Sequence, residues 1–96
     1  MVIGALQVTL AIPARSLKEK RSVVRRTLDR VRHRHHVAAA EVEANDVHHR
    51  AVIGFAAVAN DESFVNSILD KVLMQVEDDN LGRADVIDSR LELVRV

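Results

Sequence analysis

The 96-residue chain is 48% hydrophobic and carries no net charge, which is typical of one small domain with a single core. It has no cysteine, which excludes disulfides, thiolate metal sites and a cysteine nucleophile and suits a reducing compartment. Its apolar stretches are shorter than the roughly 18 residues of a membrane span, and its apolar start lacks the basic region and cleavage pattern of a signal peptide. We therefore expect one cytoplasmic domain, residues 1–96, with no membrane partner.

The first predicted element is a strand from Val2 to Ile12. Its even positions from Leu6 onward are apolar, whereas Gln7 and Thr9 occupy odd positions. This period of two predicts a strand whose even face points inward. Pro13 ends the strand, because proline has no N–H to donate to a neighbouring strand.

The second predicted element is a helix from about Leu17 to about Arg34. Ser16 and Glu19 have the spacing of a capping box, in which a hydroxyl and a carboxylate accept hydrogen bonds from backbone N–H groups at the helix start. Apolar side chains recur at helical spacing and therefore share one face: Leu17, Val24, Leu28 and Val31. We expect this face to pack against the rest of the domain.

Two strands are predicted next, Val37–Ala44 and Ala51–Ala59. In the first, Glu41 and Glu43 lie on one face and Ala38, Ala40 and Val42 on the other, which predicts an edge strand with one solvent-exposed face. The second is apolar on both faces, which is typical of a central strand.

A second helix and a last strand complete the chain. Asn60 or Asp61 can cap the helix, and its apolar residues have the clearest helical period in the sequence: Phe64, Val65, Ile68, Leu69, Val72, Leu73 and Val76. The strand is predicted from about Ala84 to Val96, with two alternating sets of side chains. Ile87, Leu91 and Leu93 form one set, and Asp88, Arg90 and Glu92 form the other, as in an edge strand.

This order of elements, βαββαβ, predicts an α+β, ferredoxin-like fold. Right-handed crossovers place both helices on one face of a four-stranded antiparallel sheet with strand order 4-1-3-2. The two least polar strands then lie in the centre of the sheet, and the two charged strands lie at its edges.

The chain as a whole resembles the YlxP-like family of small bacterial proteins, a domain of unknown function. The resemblance covers nearly all of the chain and rests on four segments: VIGALQVTLAIP at residues 2–13, SLKEKR at 16–21, AEV at 40–42, and RA at 50–51 leading to VAND at 58–61. It implies a ferredoxin-like fold. The family's genes often lie near those for a translation initiation factor and for ribosome-binding factor A, which implies a role in translation or ribosome assembly. It implies no catalytic residue.

The charges are distributed unevenly along the chain. Residues 1–36 carry nine basic and two acidic side chains, whereas residues 37–96 carry five basic and twelve acidic ones. The first helix is therefore a candidate surface for RNA or a ribosomal particle, because phosphate contacts are made mainly by Lys and Arg. The predicted nucleic-acid-binding residues are Lys18, Arg21, Arg25, Arg26, Arg30, Arg32 and Arg34, and Lys20 is expected to contact phosphates as well.

The topology predicts different surroundings for the two ends of this helix. Its first turn should lie near the turn between the second and third strands and near an acidic segment, Glu77–Asp79, which is predicted to belong to the loop after the second helix. We expect that segment to pair with the cations between Arg15 and Arg21. Arg25 to Arg34 should be the better surface for an anionic partner.

A different class of function, a homo-oligomeric protein-interaction module without RNA contact, is also compatible with the sequence. The sheet face away from the helices should expose a flat apolar patch, which is a suitable surface for a homodimer: Ala5, Val52, Gly54, Ala56 and Val58.

The sequence offers little support for other kinds of site. The adjacent pairs His35-His36 and His48-His49 lack the i, i+4 spacing of a helical metal site. Ser16 is explained as a helix cap, and the isolated glycines form no phosphate-binding loop. We predict that the protein is not an enzyme and has no metal, no cofactor and no small-molecule ligand.

Overall fold

Strands and helices follow one another in the predicted order, and the computed structural model describes every residue from Met1 to Val96. The elements are β1 (Val2–Ala11), α1 (Leu17–Arg34), β2 (Ala38–Glu43), β3 (Arg50–Ala59), α2 (Glu62–Asp79) and β4 (Asp85–Arg95). The predicted bounds of α1 are confirmed, and the strands begin or end within a residue or so of their predicted limits. Neither helix is long and apolar enough to cross a membrane.

The four strands form one antiparallel sheet in the order β2-β3-β1-β4, which confirms the predicted ferredoxin-like topology. The apolar strands β1 and β3 are central, where each pairs with a neighbouring strand on both sides. The charged strands β2 and β4 lie at the edges of the sheet, where their polar side chains reach solvent. On the helix-covered side, α1 lies over β2 and β3, and α2 lies mainly over β1 and β3. The opposite side of the sheet has no helix on it.

The core lies between the sheet and the two helices. Alternate residues of β1 and β3 point into it, and they meet apolar residues spaced along the inner faces of both helices. The residues are Leu6, Val8 and Leu10 from β1, Ile53 and Phe55 from β3, Val24, Leu28 and Val31 from α1, and Val65, Leu69, Val72 and Val76 from α2. Gly4 marks the closest approach of α2 to the sheet, since a Cβ there would lie 2.4 Å from Cγ1 of Val65.

Bulges in both edge strands change which side chains face the helices. In β4 the register shifts opposite Thr9 and Leu10, so that Val86 faces the helix side and Ile87 is 59% exposed. Ile87 has no partner in β1, and Val86 packs against the core in the place expected for Ile87, because a bulge residue interrupts the alternation on which the prediction rested.

A second bulge separates the two glutamates of β2. Glu41 pairs with Ile53 and lies on the helix side, whereas Glu43 pairs with Val52 and lies on the open side. The edge position of β2 is confirmed, but its carboxylates do not share one solvent-exposed face.

Candidate functional site

The start of α1 is held by the predicted capping residues. The hydroxyl of Ser16 accepts a hydrogen bond of 3.2 Å from the N–H of Glu19, and Oε2 of Glu19 accepts one of 2.7 Å from the N–H of Arg15. Two backbone donors that the helix cannot satisfy internally thus have partners, which fixes where α1 begins. The Ser16 hydroxyl is engaged in this cap, as the sequence predicted.

Four basic side chains form a continuous group on the solvent-facing side of α1, and we call them the cationic row: Lys18, Arg21, Arg25 and Arg26. All four are exposed, and none has an acidic partner within the chain. Together with Ser22 and Asp29 they line one shallow depression. Spacings of three and four residues place Lys18, Arg21 and Arg25 side by side, and Arg26 follows Lys18 and Ser22 at successive spacings of four, so the row presents unneutralised positive charge to solvent.

The other predicted contact residues are in different surroundings. Nε of Arg30 lies 3.1 Å from Oδ2 of Asp79, at the end of α2. Arg32 pairs with Asp29 at 3.4 Å and donates to the backbone carbonyl of Ala39. Arg34 is exposed near the C-terminal end of α1. The structure therefore groups four of the seven predicted residues and leaves two others already bound within the chain.

The expected effect of the acidic segment on α1 is also reversed. Glu77–Asp79 form the end of α2 and not, as expected, part of the loop after it. Asp79 pairs with Arg30, in the second half of α1, and no residue of Glu77–Asp79 forms an ion pair with the first turn. The reason is geometric, because α2 ends opposite the middle of α1, where Asn80 contacts Thr27. The cations that lack an acidic partner are therefore concentrated between Lys18 and Arg26, whereas Arg30 and Arg32 are paired.

Lys20 is buried completely, so the expectation that it contacts phosphates is wrong. Its ammonium lies 2.7 Å from Oε2 of Glu41 and donates a hydrogen bond of 2.5 Å to the carbonyl of Ala44. Ala44 has a φ of 61°, an uncommon left-handed conformation for alanine, just beyond the end of β2. Lys20 thus ties α1 to the edge of the sheet instead of contributing to the outer surface.

A sequence signal for this burial exists. Position 20 lies three residues after Leu17 and four before Val24, on the apolar stripe of α1, as does the buried Thr27. A charged residue inside such a stripe indicates a buried partner of opposite charge.

The histidines are spread over separate surfaces. His35 is 3.0 Å from Oε1 of Gln75 on α2, whereas the rings of His48 and His49 meet edge to face in the β2–β3 turn. No three His, Asp or Glu side chains converge as a metal site would require.

The open face of the sheet carries a shallow apolar depression. Val42 and small residues from the three strands β1, β2 and β3 line most of it. The small residues are Ala5, Ala38, Ala40, Gly54 and Ala56. Val58 is exposed on the same face. Val52 also lies on this face, but it is buried and so does not contribute to the exposed patch. The predicted patch is therefore present in a slightly different place, shifted toward β2.

Chemically, the cationic row is suited to binding anions. Guanidinium groups present paired N–H donors that match phosphate oxygens, and the ammonium of Lys18 acts as a point charge. No nucleophile with an adjacent base is present in the depression, which is lined by Lys, Arg, Ser22 and Asp29 alone.

Solved structures with a similar fold have very different sequences. The de novo designed protein LFR1 1 with ferredoxin fold has a TM-score of 0.62 and 13% identity, over 98% of this chain and 84% of that one. TA0507, described as a chlorite dismutase candidate, has a TM-score of 0.58 and 9% identity, over 97% of this chain and 44% of that one. At such identities the similarity shows the fold alone.

The sequence itself gives a more specific match. Among curated proteins, none matches it significantly. A family model described as "Protein of unknown function (DUF503)" matches residues 3–91, which is nearly the whole chain. The chain therefore belongs to this family of proteins of unknown function.

Proposed function

We propose that this protein is a non-enzymatic cytoplasmic domain that binds structured RNA, on its own or in a ribosomal particle, through the cationic row of α1. The observation that carries the proposal is the grouping of Lys18, Arg21, Arg25 and Arg26 on one exposed surface without acidic partners. The resemblance to YlxP-like proteins, whose genes lie near translation genes, agrees with this partner class.

The dimensions of the row suit phosphate contacts. From Lys18 to Arg26 the helix rises about 12 Å, at 1.5 Å per residue. A surface of this length spans more than one phosphate of a nucleic-acid strand, and contacts to phosphates position a protein without reading sequence. We therefore expect salt-sensitive binding with little sequence preference.

The sheet does not supply the base-stacking surface of an RNA-recognition sheet. Such sheets stack bases on exposed aromatic side chains of their central strands. Phe55 is the only aromatic residue in a strand here, and it is 2% exposed and faces the core. The proposed interaction therefore depends on charge, and double-stranded or folded RNA, with its closely spaced phosphates, is the favoured partner.

A pair of charge-reversal variants tests the proposal. Arg21→Glu with Arg25→Glu changes the cationic row, and Lys71→Glu with Arg83→Glu makes the same change of net charge at exposed residues elsewhere. We expect affinity for folded ribosomal RNA at about 50 mM salt to fall about tenfold or more in the first variant only, because phosphate-dominated affinity is greatest at low salt. Filter binding or fluorescence anisotropy measures this change.

Two results would contradict the proposal. Wild-type protein that does not bind RNA at low salt rules out RNA as the partner. Equal losses in both double variants show that net charge matters and that α1 is not the contact surface. Circular dichroism of each variant establishes that the fold is retained.

A second function, a homo-oligomeric protein-interaction module that never contacts RNA, is favoured by the apolar depression on the open sheet face. Burying Val42 and the surrounding small side chains against a partner would remove apolar surface from water. Co-purification from cells with and without ribonuclease separates the two functions, since only protein partners survive ribonuclease treatment. Val42→Lys should abolish an association that uses this face.

A further inference from the structure

The two edges of the sheet are protected very differently. At the β2 edge the strand is six residues long and contains a bulge. Arg32 donates a hydrogen bond to the backbone carbonyl of Ala39, and Lys20 donates one to the carbonyl of Ala44, just beyond the strand. Short length, bulges and covered backbone groups are among the devices that keep edge strands from pairing with other chains, and charged side chains are another. The β2 edge therefore has little capacity to accept another strand.

The β4 edge lacks these devices over most of its length. The strand has eleven residues, and its bulge lies near its beginning, before Ser89. It has no proline, and no side chain or loop makes a hydrogen bond to its outward backbone groups. Its charged residues alternate in sign: Asp88, Arg90 and Glu92.

The backbone groups available at this edge follow from its pairing with β1. Met1 and Val96 exchange both hydrogen bonds, of 2.9 Å and 2.7 Å. Because inward and outward pairs alternate along an antiparallel strand, the N–H and C=O groups of Ser89, Leu91 and Leu93 point to the free edge.

We propose that β4 pairs with β4 of a second copy, antiparallel and centred on Leu91, to form a continuous eight-stranded sheet. In this register the free backbone groups of Leu91 face those of the partner's Leu91, and those of Ser89 face those of the partner's Leu93. Arg90 then lies opposite the partner's Glu92 in a non-hydrogen-bonded pair, where side chains are closest. The two-fold axis generates this ion pair twice.

Charge decides between this register and its neighbours. Centring the pair on Arg90 would oppose two arginines and place Asp88 against the partner's Glu92, and like charges directly opposite one another are destabilising. Centring it on Ser89 would extend the pairing into the β-bulge at Ile87, where the ladder is interrupted. Only the register centred on Leu91 combines opposite charges with regular strand.

Burial favours the same register. Leu91 lies on the helix side of the sheet, opposite Leu6, but α2 covers it incompletely and it remains 40% exposed. Pairing brings the two Leu91 side chains together at the symmetry axis, which buries apolar surface on both. Because α1 makes no contact with β4, both cationic rows stay exposed in the dimer, and the inference does not depend on RNA binding.

Charge reversal and charge exchange test this contact in the intact protein. Arg90→Glu and Glu92→Arg each replace two attractive charge pairs by two repulsive ones. We expect each variant to lower the association constant of the dimer about tenfold or more. The two single variants mixed together should associate with each other, because each then supplies the charge that the other needs. Arg90→Glu combined with Glu92→Arg in one chain should restore self-association. Sedimentation equilibrium at high micromolar concentration measures all of these.

The control variant is Val42→Lys on the open sheet face, which should leave β4 pairing unchanged. Wild-type protein that is only monomeric at high micromolar concentration overturns the proposal. Single variants that dimerise like wild type, or a mixture and a double variant that remain monomeric, overturn it as well. Loss of the dimer in Val42→Lys but not in Arg90→Glu would assign self-association to the open face instead.

Discussion

The buried ion pair between Lys20 and Glu41 gives the sharpest stability prediction. Replacing Lys20 by Met keeps a long apolar side chain in the helix stripe but removes the only partner of Glu41 Oε2, which is itself buried. It also removes the donor to the carbonyl of Ala44. We expect the remaining uncompensated carboxylate to dominate the loss of stability.

The magnitude follows from the burial of the two partners. Breaking a buried ion pair by removing one member destabilises a protein by about 3–5 kcal/mol. The side chain of Glu41 is 16% exposed and so keeps some contact with water, which places the expected loss near the lower end, at about 3 kcal/mol. For a domain of this size, that loss lowers Tm by roughly 12–24 °C.

Urea unfolding of three variants separates pairing from packing. Lys20→Met together with Glu41→Met removes both charges and should lie within about 1 kcal/mol of wild type, because a hydrophobic replacement of a buried pair is often neutral. Lys18→Met, at an exposed site on the same helix, should change the free energy of unfolding by less than about 0.5 kcal/mol. If the double variant is as unstable as Lys20→Met, the two charges are not coupled and the reasoning is refuted.

Three further predictions concern packing, a buried amide and salt. Gly4→Ala should lower the free energy of unfolding by about 1–3 kcal/mol, because the added Cβ would force Val65 and α2 away from the sheet. Gly54→Ala, on the open face, should lower it by less than about 1 kcal/mol. Equal losses of the two variants in chemical denaturation would contradict this. Asn80→Ala should lower the free energy of unfolding by about 1–3 kcal/mol, since the buried amide of Asn80 donates hydrogen bonds to Val76 O at 2.8 Å and to Thr27 Oγ1 at 3.2 Å. An unchanged free energy of unfolding would contradict this. RNA affinity should fall with salt with a log–log slope of about −3 to −4 if all four side chains of the cationic row contact phosphates, and a slope near zero would contradict the contact.

Most of the fold could be predicted from local patterns. The period of two in β1, the helical period of α2 and the polar cap Asp61 each reflect a local rule of backbone geometry or hydrogen bonding. The order of the strands followed from the order of the elements with right-handed crossovers, and it agreed with composition, since the two least polar strands lie in the centre. The bulge at Ile87 could not be predicted, because it depends on how β4 fits the twist and length of β1.

The candidate site could be predicted only in part. The excess of positive charge in α1 is a property of the sequence, and it correctly pointed to Lys18, Arg21, Arg25 and Arg26 as exposed cations. Which cations have partners depends on distances between elements. Arg30 meets Asp79 because α2 ends opposite the middle of α1, and no spacing along the chain contains that distance.

The sequence alone determined the ferredoxin-like topology, the apolar faces and the concentration of basic residues in one helix, because these follow from periodicity and composition. Tertiary structure alone decided that the buried Lys20 forms an ion pair with Glu41, that Lys18, Arg21, Arg25 and Arg26 form a row without acidic partners, and that the backbone groups at the β4 edge remain free. The physical reason is that burial and ion pairing depend on what lies across a contact, whereas periodicity specifies only which face a side chain occupies.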